Sequence, residues 1–130
     1  MELYVAAPDN VGQSSLRRPH NYTGVALKVP CGTLDEYVEE HRIHRVDLIK
    51  IDVEGAELSV LRGARKTLSR MKPSLIVEFW DEFQTEYGTS CAEMGAFLKE
   101  LGYKLFWITD SGLLPYAQST GISFNVLGQI

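Results

Sequence analysis

The sequence predicts an α/β protein built on a partial doubly wound sheet, mostly parallel, with an antiparallel hairpin at one edge. Three observations lead there. Residues 46–51 and 74–80 are short runs apolar on both faces, the pattern of interior parallel strands covered by helices on either side. From residue 46 onward the order reads strand, helix, strand, helix, then a strand with a returning partner. Both apolar strands end in acids, Asp52 and Glu54 after the first and Glu78 within the second. In an open α/β sheet the carboxyl ends of the strands are where ligands bind.

Each element follows from local chemistry. Residues 2–6 read as a short strand and 8–15 as a polar loop dense in turn formers. A second strand spans 22–29, with Val25, Leu27 and Val29 alternating onto one face. Thr33 is a good N-cap for a helix over 34–41, whose first turn carries Asp35 and Glu36. The acids at its start and His41-Arg42 at its end both suit the helix dipole.

After the strand 46–51, Leu58, Leu61 and Leu68 mark a helix at near-helical spacing, with Arg65, Lys66 and Arg70 towards its end. Gly63 interrupts that pattern and predicts a kink or close packing on the sheet. Pro73 stops the helix and leads into the strand 74–80. Thr89 or Ser90 caps a helix to Leu101, with Met94, Phe97, Leu98 and Leu101 as its apolar stripe, and Gly102 ends it. A strand over 103–108, a turn over 109–112, a return over 113–116 and a short strand over 122–127 complete the chain.

Composition bounds the function. One hundred and thirty residues make one domain, short for a complete doubly wound enzyme. A net charge of −4 argues against a nucleic-acid or anionic-membrane partner, which wants a basic face. Arg17-Arg18 reads as an exposed loop pair. No apolar run approaches the roughly 20 residues that span a bilayer, and the start is acidic, unlike a signal peptide. Cys31 and Cys91 are far apart and form no CxxC arrangement, so a cytoplasmic protein with two reduced thiols is expected.

Asp52, Glu54 and Glu78 are the candidate catalytic residues, side by side along the carboxyl edge if their strands are neighbours. Each also has a plain reading, because a helix start welcomes negative charge. Glu54 reads foremost as such a cap, Asp52 as either, and Glu78 as a site residue because it interrupts an apolar strand. Phe79, Trp80 and Phe83 follow as an aromatic core or as the wall of an acceptor pocket. His41 and His44, three apart, lack a third zinc ligand at a ligand spacing, and a helix end is their simpler setting. Ser14-Ser15 has no nucleophile-elbow context, and Asp9-Asn10 is explained by turn chemistry.

Several ordered segments resemble the FkbM-type methyltransferases. The most specific are Lys50-Ile-Asp-Val-Glu-Gly-Ala-Glu57 and Leu61-Arg-Gly-Ala64. Leu3-Tyr-Val-Ala-Ala-Pro-Asp-Asn10 and Thr33-Leu-Asp35 precede them, and Ile76-Val-Glu-Phe79 and Gly102-Tyr-Lys-Leu-Phe106 follow. The resemblance implies a Rossmann-like sheet of the class I methyltransferase kind. It also implies methyl transfer from S-adenosylmethionine, usually to a hydroxyl oxygen of a sugar or secondary metabolite.

In such enzymes a glycine-rich turn after the first strand holds the cofactor, since backbone approaches a ligand closely only where glycine allows it. This chain has no pair of glycines two apart, so residues 1–130 resemble a single domain without its amino-terminal, cofactor-binding half. The cofactor-binding residues are therefore expected to lie largely outside it. Asp52 and Glu78 would orient the acceptor hydroxyl or take its proton. A divalent cation held by the two is a less favoured version, and no metal site is expected. An apolar strand 46–51 left at a sheet edge would self-associate. Two alternatives have the same residues in a non-catalytic, protein-binding α/β module or in a carboxylate-metal hydrolase.

Overall fold

The computed structural model describes residues 1–6, 14–18, 22–117 and 124–130, which fall into two compact units, Met1–Gly32 and Thr33–Ile130. In the first unit β1 (Glu2–Tyr4) pairs antiparallel with β2 (Ala26–Lys28), Leu3 opposite Leu27. The Tyr22 hydroxyl is shared between the carbonyls of Val5 and Val25, at 2.8 and 2.6 Å, and its ring meets Tyr4 edge-on. Ser14 and Ser15 serve the loop, accepting from the N–H groups of Ala6 and Arg17 at 3.1 and 3.2 Å. Val25 and Leu27, expected to share one face, are exposed. Asp9-Asn10 lies outside the described residues.

The second unit opens with α1 (Leu34–Glu40), and Thr33 caps it as expected. Its hydroxyl accepts from the Glu36 N–H, while the Glu36 carboxylate accepts from the Thr33 N–H, a reciprocal box that satisfies two orphan donors. The leucine-periodic helix that follows is two helices, α2 (Glu57–Gly63) and α3 (Arg65–Met71), broken at Ala64. Gly63 does permit close packing, but against α1 and not the sheet: a Cβ there would lie 3.2 Å from the Thr33 side chain. Ala64 offers α3 no side-chain cap. Asp35 supplies one from 31 and 32 residues upstream, accepting from the N–H groups of Lys66 and Thr67 at 2.9 and 2.8 Å and from the Thr67 hydroxyl at 2.7 Å.

The remaining strands and helices are β3 (Leu48–Ile51), β4 (Ser74–Phe79), α4 (Asp81–Glu86), α5 (Cys91–Glu100), β5 (Lys104–Thr109), β6 (Gly112–Pro115) and β7 (Phe124–Gln129). The sheet order is β3-β4-β7-β5-β6. This corrects the expectation of a mostly parallel, doubly wound, Rossmann-like sheet. Of its four pairings only β3–β4 is parallel; β4–β7, β7–β5 and β5–β6 are all antiparallel. The cause is the last strand, which inserts between β4 and β5 and runs against both. Strands β4 and β5 therefore point the same way without ever pairing.

The helices also fail to cover both faces. One face presents Ile51, Leu75, Val77, Val126 and Leu105, which form a single buried cluster with Leu58, Leu61, Leu68, Met94 and Leu98. Full burial of such a side chain contributes roughly 1.5–3 kcal/mol. The other face carries Leu48, Lys50, Ile76, Glu78, Leu127, Phe106 and Ile108, none of them fully buried. Leu48 is 56% exposed, so the first apolar strand is an edge and not an interior strand. Tyr103 ties the sheet to the end of α3, donating its hydroxyl to the Pro73 carbonyl at 3.0 Å.

Burial alone would raise the Asp35 carboxyl, but its three hydrogen bonds outweigh that and hold it below the ordinary carboxylate value. A carboxyl depressed in the folded state adds stability above its unfolded value, near 3.8, and that stability is lost as pH falls through the folded value. Asp35→Ala is expected to cost about 1–2 kcal/mol in urea unfolding at neutral pH. The difference from wild type should shrink on acidification; a gap independent of pH would refute the capping role.

Candidate functional site

Because β3 and β4 are parallel neighbours with Lys50 opposite Ile76 and Ile51 opposite Val77, the acids one residue further along, Asp52 and Glu78, emerge side by side. The expected neighbourhood of the two strand ends is therefore present. Lys50 reaches along its own strand to pair with Asp52 Oδ2, and both side chains stay substantially exposed, at 58% and 42%. That hydrogen bond, helped by the charges of Asp52 and Glu78, holds the Lys50 ammonium above its ordinary value against a smaller desolvation effect.

Glu54 joins this rim. Burial pushes its carboxyl above the ordinary range, and the charges of Glu78, Asp52 and Glu57 push it further. The structure thus gathers all three sequence-predicted acids into one electrostatic group. Glu54 is not the helix cap: the N-cap of α2 is Ala56, and no side-chain bond caps that helix. Instead Glu54 sits in the left-handed region at φ 54°, followed by Gly55 at φ 101°. A non-glycine residue there costs on the order of 1–2 kcal/mol, so something must hold it.

Two things do. Glu57, fully buried, accepts from the Val53 and Gly55 N–H groups at 2.9 and 3.3 Å and from the Gln84 side-chain amide. Helix α4 packs on the turn: a Cβ at Gly55 would lie 2.7 Å from the Tyr87 ring and 2.8 Å from the Phe83 carbonyl. Sequence reasoning missed Glu57, Gln84 and α4 itself. The Asp81-Glu82 pair was the available signal for the helix start, but its N-cap, Trp80, makes no capping bond.

The aromatic residues divide. Phe79 is core, edge-on to Tyr116 and Trp107 at 5.5 and 6.4 Å. Trp80 and Phe83 are only half-buried and lie against one another at 4.3 Å, beginning where the Glu78 strand ends. They form an apolar flank beside the acidic rim. A separate cleft of about 250 Å³ lies between α1 and α3, lined by Asp35, Val38, Glu39, Lys66, Thr67 and Arg70 and by none of the rim acids.

Other candidates resolve as structural. His41 closes α1, its Nδ1 within 2.9 Å of the Tyr37 carbonyl and its ring stacked on Tyr37 at 4.0 Å. Among the described residues no group of three or more His, Cys, Asp or Glu is arranged to hold a metal ion. Cys31 and Cys91 are free thiols. Burial, then the neighbouring Asp81, pushes the Cys91 thiol up to about 12, too high for a thiolate nucleophile. Gly55 is the glycine at the rim, and its open side is filled by Tyr87 and Phe83.

The methyltransferase FkbM domain family matches residues 3–105. The methyltransferase sdnD of Sordaria araneosa is 38% identical over 61 residues, covering 44% of this chain and 24% of that protein. The match thus spans about a quarter of that relative's length. No solved structure matches the chain.

Two outcomes follow from the strained, charged turn. A carboxyl raised in the folded state costs stability once ionised, so the cost appears as pH climbs past its unfolded value near 4.5 and levels off above the folded one. Glu54→Gln should therefore stabilise the chain by about 0.5 kcal/mol or more at pH 7 and by nothing at pH 3, measured by urea unfolding. Gly55→Ala must place a Cβ against a backbone carbonyl at positive φ. A loss of about 2 kcal/mol or more is expected, and wild-type stability would contradict the packing described.

Proposed function

This chain belongs to the FkbM methyltransferase family, and from that premise we propose that it supplies the acceptor side of a methyl-transfer site acting on a hydroxyl oxygen of a small molecule, a sugar or a secondary metabolite. The observation that carries this reading is the convergence of Asp52, Glu54 and Glu78 at the paired ends of β3 and β4. S-adenosylmethionine is the proposed donor, and its sulfonium provides an activated methyl group.

The roles of the chain's own residues follow from their surroundings. Glu54, whose carboxyl is raised above its ordinary value by burial and the neighbouring acids, serves as the base, because a carboxylate of ordinary pKa takes a proton from an alcohol poorly. Its carboxylate oxygen accepts the hydroxyl proton, and Glu78 beside it accepts a second hydrogen bond that fixes the hydroxyl's direction. Asp52, held by Lys50, contributes negative field and orientation. The half-buried Trp80–Phe83 pair offers an apolar surface for the acceptor's carbon frame. Positioning carries more of the effect than proton abstraction.

The reading places the protein in the cytoplasm, where two free thiols stay reduced. Among the described residues no helix is long and apolar enough to cross a membrane. It also includes self-association. Strand β3 is the outer strand of its sheet, and an apolar edge of this kind pairs with another chain. Light scattering across a concentration series should show a dimer or larger species; a monodisperse monomer throughout would count against it.

The chemistry is tested by methyl transfer from radiolabelled S-adenosylmethionine to a panel of sugars and hydroxylated metabolites. Glu54→Gln and Glu78→Gln are each expected to slow transfer on the order of a hundredfold, with Asp52→Asn milder. Undiminished transfer in both glutamine variants would overturn the acceptor-side assignment.

A further inference from the structure

Beneath the acidic rim lies a buried polar chain that the proposed chemistry leaves unused. Glu57 and Gln84 are 0% and 1% exposed, an unusual setting for either side chain. Glu57 Oε1 accepts from the Val53 and Gly55 N–H groups, and its Oε2 accepts from Gln84 Nε2. Gln84 Oε1 in turn accepts from the Thr89 hydroxyl at 2.9 Å. The two backbone donors taken by Glu57 belong to the residues on either side of Glu54. A buried N–H needs an acceptor, and in this left-handed turn these two point inward, where a single carboxylate oxygen serves both.

Resting on the acceptor-side reading above, we propose that Glu57 is a positioning residue: its buried carboxylate holds the 53–55 turn in the left-handed form that presents Glu54 to the rim, and Gln84 keeps that carboxylate oriented. The direction of the hydrogen bonds makes the idea testable. Glu57→Gln can still offer an oxygen to the turn, but it loses the charge, and Gln84 must turn over, giving up the bond it accepts from the Thr89 hydroxyl. Adding Gln84→Glu reverses the pair. Residue 57 donates, residue 84 accepts from it and from Thr89, and the pair keeps its single negative charge.

Amide hydrogen exchange by NMR on the whole chain reads this directly. Glu57→Gln should speed exchange at Val53 and Gly55 about tenfold or more while leaving Val77 and Val126 in the core sheet unchanged. The double variant should return both rates to wild type. The Glu54 carboxyl, followed by its carbon chemical shift, should titrate lower in the single variant and recover in the double. Equal acceleration of all four amides would make Glu57 ordinary core support and overturn the proposal, as would unchanged rates at Val53 and Gly55. If the single variant does not fold, the double decides: a folded chain with both amides protected supports the proposal, and exposed amides or an unfolded chain refute it. Undiminished methyl transfer in Glu54→Gln and Glu78→Gln would strike the acceptor-side reading, while the amide rates still decide the positioning role.

Discussion

Parallel pairing of β3 with β4 sets two acidic strand ends side by side, and the arrangement of the rim answers to the repulsion that follows. Lys50 neutralises part of it by pairing with Asp52. Glu54 receives the remainder, as burial and three neighbouring carboxylates combine to disfavour its ionised form. Such a group persists only where its surroundings leave it no lower-energy position, and here the turn beneath it is pinned by Glu57 and covered by α4.

The acids of this chain sort by how completely they are satisfied. Asp35 and Glu36 collect hydrogen bonds from N–H groups at helix starts, and both are held below the ordinary carboxylate range. Those are structural roles, in which the charge stabilises the helix it caps. Glu54 shows the opposite shift, with neighbours of its own sign. Perturbation in that direction on a strand-end rim is what makes Glu54 a candidate and sets it apart from the capping acids. The half-buried Trp80 and Phe83 add a paired apolar surface where the Glu78 strand ends.

The family match and the sheet bear on one another. The matched residues 3–105 run through β3, β4 and the start of β5 but stop short of β6 and β7. The strand that makes the sheet mostly antiparallel thus lies beyond the match. Inserted between β4 and β5, β7 pairs directly with β4 and sets Asn125 opposite Glu78, so it borders the acidic strand ends. The reversal of strand direction therefore changes the architecture while the parallel β3–β4 pair is kept.

Local chemistry was legible in the residues: the Thr33 cap, the Ser90 cap, the two apolar strands and the acids at their ends all follow from side-chain type and spacing. Strand order was not. An alternating apolar strand looks the same whether its neighbour runs with it or against it, so nothing in residues 124–129 announces a place between β4 and β5. Helix α4 and the Glu57–Gln84 pair escaped for a related reason. Their roles are set by partners 27 residues apart and by burial, which exists only once the chain has packed. The sequence by itself determined which acids reach the lip of the sheet and which family the chain resembles. Only the tertiary structure decided that burial and like charge raise the Glu54 carboxyl, because that depends on distances and desolvation that no spacing along the chain contains.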